Sequence, residues 1–377
     1  MSDRFGSLVK TPGRYGFYTF IPSRMPRTLD LSPRTVVLLS DADRAIGRLA
    51  GAGRLLPNPQ LLVNAYITRE AVASSRIEGT QATISDVFDA EARGTTNADV
   101  QEVVNYVRAM NAGLDALKEL PISKRLIEEI HAILLEGVRG AERNPGEIRK
   151  SPNWIGSPDN RPDTAIFVPP PQDEMRLGLT DWEHFVNADN RELPPLISCA
   201  LMHYQFETLH PFLDGNGRIG RLLIIFYLIS KGLLPAPLLY VSSYFEEHKS
   251  TYYDLLQSVR ESGNIDSWLQ FFLVAIATQA SDAERRAENI MDCREEYRTR
   301  LRGDRSRAAE AVDQLIQNPI ATAGSISRSL GISIQGATNL LGRLERVGII
   351  QPSGRIPGRA KRWICHGIFE TLSQGGT

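Results

Sequence analysis

The run His210-Pro211-Phe212-Leu213-Asp214-Gly215-Asn216-Gly217-Arg218-Ile219-Gly220-Arg221 gathers an imidazole, a carboxylate, a carboxamide, glycines and two guanidiniums into one short stretch. An imidazole titrates near neutral pH and suits a general base. The glycines flanking Asn216 allow a sharp turn whose N–H groups converge on an oxyanion. An apolar run follows from Leu222 to Ile229 and is unbroken until Lys231-Gly232. The loop is therefore predicted to open a buried helix, whose N-terminal amides and dipole also favour an anion. Arg218 and Arg221 lie three apart on one helical face, and their planar forks match phosphate oxygens. A base beside an anion-binding loop points to phosphate chemistry.

Two other readings use the same residues. Gly215-Asn216-Gly217-Arg218-Ile219-Gly220 satisfies G-x-G-x-x-G, but that fingerprint needs a preceding strand, whereas Leu196 to Leu209 has helical apolar spacing. No Walker-type phosphate loop occurs in the chain. His203, Glu207 and His210 at i, i+4 and i+7 could ligate a metal from one helix. Pro211 argues against this, because it ends the helix at His210 and carries that imidazole away with the loop.

Every specified position of residues 210–221 fills the motif H-x-F-x-[D/E]-G-N-G-R-x-x-R, so the chain resembles the Fic (filamentation induced by cAMP) family. The resemblance implies a protein adenylyltransferase that moves AMP from ATP to a hydroxyl side chain of a protein. On that basis His210 is the general base and Asp214 holds a Mg²⁺ ion. Asn216 with the amides around Gly215 and Gly217 stabilises the α-phosphate, Arg218 and Arg221 hold the outer phosphates, and Ile219 and Gly220 complete the ATP-binding stretch.

Upstream, Ser74-Ser75-Arg76-Ile77-Glu78-Gly79 resembles the family's inhibitory motif [S/T]-x-x-x-E-[G/N], with Ser74, Glu78 and Gly79 at its defined positions. Taken alone the match could mark a helix end or a surface ion pair. Beside the complete Fic motif it implies an N-terminal inhibitory helix, in which Glu78 binds Arg221 bidentately and denies it to the γ-phosphate. The same carboxylate could instead activate water to remove AMP, so a de-AMPylase remains an alternative.

Between the two motifs, Ser151 to Gly156 and Thr164 to Pro171 read as extended runs joined by a turn-rich loop, a β-hairpin. By resemblance this is a flap that docks the target, with Trp154, Ile155 and Gly156 on its first arm. After the motif helix, Tyr252-Tyr253 is similar to the family's adenine pocket, and Tyr253 is the candidate for it.

These groups need a mostly helical scaffold to hold them. Helical spacing covers 41–50, 65–78, 84–92 and 99–117, after a Pro-, Gly- and aromatic-rich start around Pro12 to Tyr18. The predicted organisation is mainly α. An N-terminal helical region (1–115) carries the inhibitory helix, a Fic core (116–282) carries a small β-hairpin flap, and a solvated mixed-charge helix (283–303) connects to residues 304–377. That last part resembles a winged helix-turn-helix domain, with helices near 307–317, 323–330 and 334–347. Strands at Ile349-Ile350 and Trp363-Ile364 bracket a wing bearing Arg355, Arg359, Lys361 and Arg362. If it binds DNA, Ser333, Gln335, Thr338 and Asn339 face the major groove and the wing meets phosphates. Such domains equally serve docking, and the third helix has only Arg343 and Arg346 near its end, so an ATP-sensing DNA-binding regulator is a second alternative.

The 377 residues carry a net charge of −1 and 42% hydrophobic residues, which excludes a polybasic nucleic-acid binder at the level of the whole chain. No apolar stretch reaches transmembrane length, no signal core opens the chain, and the three cysteines lie far apart. These features predict a cytoplasmic protein without membrane partners. Its partners would be a hydroxyl-bearing protein target, which could be the chain itself, with DNA and a second copy in a homodimer as further candidates.

Overall fold

The computed structural model describes residues 5–11, 16–55, 60–94, 96–189, 192–353 and 361–373. The first elements are an antiparallel hairpin, β1 (Gly6–Lys10) paired with β2 (Tyr18–Pro22), with Gly6 opposite Pro22 and Lys10 opposite Tyr18. Sequence reading did not anticipate it. Its inner edge is anchored far along the chain: the Phe20 N–H donates to the Val168 carbonyl (3.0 Å) and the Thr19 hydroxyl to that of Pro169 (2.9 Å).

Helix α1 (Pro33–Leu55) starts earlier than its apolar spacing suggests. Ser32 accepts from the Thr35 N–H (3.2 Å), and Pro33 stands at the first helical position, where its missing N–H costs nothing. α2 (Gln60–Ile77) ends at the candidate inhibitory residues. Thr83 and Asp86 form a reciprocal capping box for α3 (Ile84–Arg93), and Asn97 caps α4 (Ala98–Ala116). Ser123 caps α5 (Lys124–Leu134), and α6 (Gln172–Asn187) follows the flap region.

The centre is formed by α7 (Pro195–Leu209) and α8 (Asn216–Ser230). Residues 196–209 of α7 are all buried, as are residues 218–228 of α8. A helix apolar on all sides must lie inside the protein, so the loop between these two is held by packing on both flanks. α9 (Ser242–Glu247) and α10 (Lys249–Ser262) cover one side. α11 (Ile265–Arg300) then runs 36 residues without a break.

The expected connecting helix at 283–303 is the second half of α11, and it is less solvated than its charges suggest. Ala283, Arg286, Ala287, Ile290, Arg294 and Tyr297 are buried. Pairing offsets part of the desolvation cost of the charged ones: Arg286 bonds Asp282 (2.7 Å), and Arg294 bonds Asp313 (2.8 Å).

The C-terminal elements are α12 (Ala308–Gln317), β3 (Ile320–Thr322), α13 (Ala323–Leu330), α14 (Ile334–Arg346), β4 (Gln351–Ser353), β5 (Arg362–Ile364) and α15 (His366–Ser373). The strands form one antiparallel sheet in the order β3-β5-β4. The three helices match the spans read from sequence. β3 and α15 are additions, and Ile349 and Ile350 lie buried just before β4 rather than within it. The wing residues Arg355 and Arg359 fall outside the described residues. α15 docks on the rest of the chain through its last carbonyls, with Arg69 of α2 donating to Leu372 (2.5 Å) and Arg286 of α11 to Thr371. No helix among the described residues is long and apolar enough to cross a membrane.

Candidate active site

α7 ends at His210, which adopts the left-handed conformation (φ 48°, ψ 61°) and donates its backbone N–H to Phe206 (3.0 Å). A non-glycine residue held there stores strain of about 1 kcal/mol, so the surroundings must fix it. Arg149 does so from outside the helix, with its Nε donating to the His210 carbonyl (2.9 Å). Burial, and then the charges of Arg149 and Arg260, depress the His210 imidazole to about 3. The ring is therefore neutral at physiological pH, as a proton acceptor must be. Its Nδ1 makes no hydrogen bond among the described residues.

The loop after His210 is braced by contacts that sequence reading did not identify. The Asn216 carboxamide accepts from the Phe212 N–H and donates to the Phe212 carbonyl, both at 2.8 Å. This side chain closes the loop on itself, which fixes the Asn216 carboxamide at the start of α8. His131 of α5 stacks on Phe212 at 3.8 Å. Its Nδ1 accepts from the Gly146 N–H (2.8 Å), so its Nε2 carries the proton donated to the Asp214 carbonyl (3.0 Å). Burial lowers His131 to about 4 and keeps it neutral.

Gly215 sits at the start of α8 with φ 76°, the turn that glycine permits, and its N–H lies 2.5 Å from Asp214 Oδ1. The Asp214 side chain is 38% exposed. Gly217 has no room for a side chain, because a Cβ there would overlap Glu78 Oε1 and stand 2.9 Å from Arg221 Nη1. Ile219 faces the core, and a Cβ on Gly220 would overlap the Glu207 carboxylate.

The two arginines differ in their bonding. Arg218 is 1% exposed, with Asp214 at 3.4 Å and Glu102 at 3.6 Å. Its Nε and Nη1 make no hydrogen bond among the described residues. Two carboxylates thus hold the Arg218 guanidinium at long range, and its Nε and Nη1 keep donor capacity at a helix N-terminus, where anions are favoured. Arg221 is satisfied instead: its Nε donates to Ser74 Oγ (2.8 Å), and its Nη2 to the Ser74 carbonyl (2.9 Å) and to Glu78 Oε1 (2.7 Å). The contact between the two charges runs through one nitrogen and one oxygen, in place of the bidentate pair expected. Burial opposes both charges, but each stabilises the other, so Glu78 is held below its ordinary value and Arg221 above its own. Gly79 follows with φ 98°. Behind them lies a buried network that spacing could not reveal, in which Glu70 accepts from the Tyr106 hydroxyl (3.1 Å) and the Ser242 N–H (3.0 Å).

Glu207 and His203 stay inside. His203 donates from Nδ1 to the Gly220 carbonyl (3.0 Å) and meets the Tyr252 hydroxyl through Nε2 (2.8 Å), so both nitrogens are committed and neither is open to a metal. Glu207 is pushed up to about 7, chiefly by burial, and its Oε1 has no hydrogen bond among the described residues. Tyr253 is 42% exposed, its ring 5.1 Å from that of Tyr252. Burial raises its phenol, with Glu78 the next influence.

The flap pairs over less length than its two runs suggest: one antiparallel bridge joins Ile155 to Phe167. Prolines at 152, 158, 162 and 169–171 deny it a longer ladder. Gly156 takes φ 70°, and Trp154 bonds Asn160 (3.2 Å). In the C-terminal part the polar residues expected on DNA bond within α14, Gln335 to Asn339 (3.1 Å) and Thr338 to the Ile334 carbonyl (2.9 Å), while Ser333 caps the helix. Lys361 pairs with Glu345 and Arg362 with Asp89 of α3.

Comparison with known proteins agrees with this geometry. Residues 36–115 match the Fic/DOC family N-terminal model, and residues 121–228 match the Fic/DOC family model. A protein adenylyltransferase Fic of Drosophila grimshawi is 30% identical over 166 residues, 44% of this chain and 30% of that protein. One of Aedes aegypti is 31% identical over 151 residues, 40% of this chain and 27% of its own length. The match thus spans under a third of each relative. A Fic family protein from Desulfovibrio desulfuricans G20 shares the fold, with a TM-score of 0.57 at 21% identity, covering 89% of this chain and 97% of that one. A Fic-domain signalling protein from Bacteroides thetaiotaomicron VPI-5482 has a TM-score of 0.50 at 21% identity, covering 68% and 97%.

Proposed function

The chain belongs to the Fic/DOC family, and from that we propose that it is a protein adenylyltransferase held in a resting state by Glu78. The observation that carries the proposal is the buried Arg218 guanidinium with its orphaned Nε and Nη1, beside the first amides of α8 and a neutral His210. Such a cradle suits the phosphates of ATP. The target hydroxyl gives its proton to His210 while its oxygen attacks the α-phosphorus. The bond from that phosphorus to the bridging oxygen of the β-phosphate breaks, leaving AMP on the target and releasing pyrophosphate. The amides at Gly215 and Gly217 face the growing charge, and Arg218 holds the outer phosphates. Arg221 joins it only after Glu78 withdraws, which accounts for the resting state. Tyr253 borders the adenine, and the first flap arm, Trp154 to Gly156, receives the target's backbone by strand addition.

Mg²⁺ fits Asp214. Its carboxylate is a hard oxygen donor and partly exposed, so it would hold the ion as a protein ligand beside the phosphates of ATP. When bound, the ion neutralises phosphate charge as pyrophosphate departs.

A hydrolytic role for the same site draws on one observation: the Glu78 side chain is 30% exposed as well as bound to Arg221, so a carboxylate faces the place where water would approach an AMP-modified target. The test is transfer of label from α-³²P-ATP to protein by the wild type, Glu78→Gly and Glu78→Gly/His210→Ala. Label in the single variant, and not in the double, supports the transferase. No label in any form, together with release of AMP from a modified target, supports the hydrolase.

A further inference from the structure

Arg149 is 2% exposed, lies just before the flap, and forms no ion pair with a carboxylate among the described residues. Its guanidinium is instead distributed over carbonyls. Nε donates to His210 (2.9 Å), Nη1 to Ser151 (3.2 Å), and Nη2 to Pro170 (2.6 Å) and Leu209 (3.3 Å). Its own backbone N–H donates to Pro211 (2.9 Å). Ser151 stands at the root of the first flap arm and Pro170 at the root of the second. Leu209, His210 and Pro211 are the end of α7 and the start of the catalytic loop. One rigid, planar group therefore ties both roots of the flap to the residue carrying the candidate base.

We propose that Arg149 is a positioning residue, through which the placement of the flap, and hence of a docked target, sets the orientation of His210. This rests on the transferase reading. Three features support it. His210 occupies a left-handed conformation that a non-glycine residue keeps only under constraint. Burying a guanidinium without a counter-charge is costly, and burial lowers Arg149 to about 10, so the position is not a generic packing site. A lysine does not reproduce the arrangement, since one ammonium has three donors and here three guanidinium nitrogens reach four carbonyls. Among the described residues Arg149 forms no hydrogen bond with Asp214, Gly215, Gly217 or Arg218, so it acts on the base and the flap rather than on the phosphate cradle.

The test uses the full chain with Glu78→Gly as background, adding Arg149→Gln or Arg149→Lys. ATP affinity should stay within about twofold, while kcat for AMP transfer falls by about tenfold or more and KM for the target protein rises. The charged and titratable groups around His210 are Arg149, Arg260 of α10, Glu78 after α2 and Glu207 of α7. Arg149→Gln removes one of the two cations, so the acidic limb of kcat/KM moves up by about one pH unit; Arg149→Lys keeps that limb in place without restoring the rate. A kcat within about twofold of background in both variants overturns the inference. If Arg149→Gln fails to give a cooperative melt, Arg149→Lys and Asn153→Ala decide, because the Asn153 amide reaches the Phe212 (2.9 Å) and His210 (3.4 Å) carbonyls. A loss of kcat with intact ATP binding supports the role, and unchanged kcat in both removes it. No label from the background itself would overturn the transferase reading and this inference with it.

Discussion

Replacing Glu78 with glycine should release the enzyme, and the structure gives the size of the effect. The residue follows the last turn of α2, and its backbone N–H bond to Ser75 (3.0 Å) does not depend on the side chain. The substitution therefore deletes the carboxylate and leaves the turn. Arg221 remains in place through its two bonds to Ser74 (2.8 and 2.9 Å) and regains one N–H for phosphate. The lost contact is a charge-assisted hydrogen bond of 2.7 Å between a buried cation and an anion 30% exposed to solvent. Such a bond contributes about 1.5–3 kcal/mol. At about 1.4 kcal/mol per tenfold, the transfer rate at limiting ATP should rise by about 10- to 150-fold. A second readout follows from the buried cation left behind. Without Glu78, ATP supplies the missing counter-charge, so saturating ATP should raise the melting temperature more in Glu78→Gly than in the wild type. The assay is steady-state transfer of α-³²P label, with melting curves with and without ATP. Rates within about threefold of one another, or equal ATP-induced shifts, would refute the argument that this pair holds the site closed.

Because His210 is depressed to about 3 in the free protein, kcat/KM for ATP in Glu78→Gly should be flat from pH 8 down to about pH 5; an acidic limb centred near 6.5 would remove the base from its assigned environment. The Glu78 pair follows the rule for a lowered carboxyl: it is intact above the ordinary value of 4.5 and lost only as pH falls below that, so the ratio of variant to wild-type rates should not change between pH 6 and 8. Glu207 has the opposite sign. Its carboxyl is raised to about 7, so the folded state holds its proton more tightly than the unfolded chain, and stability declines as pH rises from about 4.5 to 7. Glu207→Gln should accordingly raise the melting temperature more at pH 8 than at pH 5, and an equal change at both pH values would count against that. Asp214→Ala, or chelation of divalent ions, should abolish transfer by Glu78→Gly while leaving its melting temperature within a few degrees; transfer that survives EDTA would separate Asp214 from metal binding.

The helices around the site were legible because their signals are local. The apolar run after Arg221 had one solution, a buried helix, and Pro211 placed His210 at its partner's end. The span from Ala323 to Leu330 was readable to the residue, since Thr322 and Ser325 cap it and Gly331 (φ 62°) ends it. Long-range chemistry was not legible. Nothing near Arg149 in sequence announces that its partners include a carbonyl 60 residues away. Likewise Glu70 reads as one more helical carboxylate until Ser242 and Tyr106 meet it. The type of Asn216 suits a phosphate contact, but only the fold shows that its amide also closes the loop on Phe212. The N-terminal hairpin was missed because part of what anchors it, the Val168 and Pro169 carbonyls, lies far along the chain.

α2 carries two attachments on one stiff rod. Glu78 just beyond its end grips Arg221, and Arg69, nine positions earlier and about 14 Å along the axis, holds the closing turn of α15 through Leu372. A helix transmits rotation and translation along its length without absorbing them. The Glu78 carboxylate and the carboxyl-terminal helix are therefore attached to one element: a shift of α2 that drew Glu78 from Arg221 would also load the bond from Arg69 to Leu372 of α15.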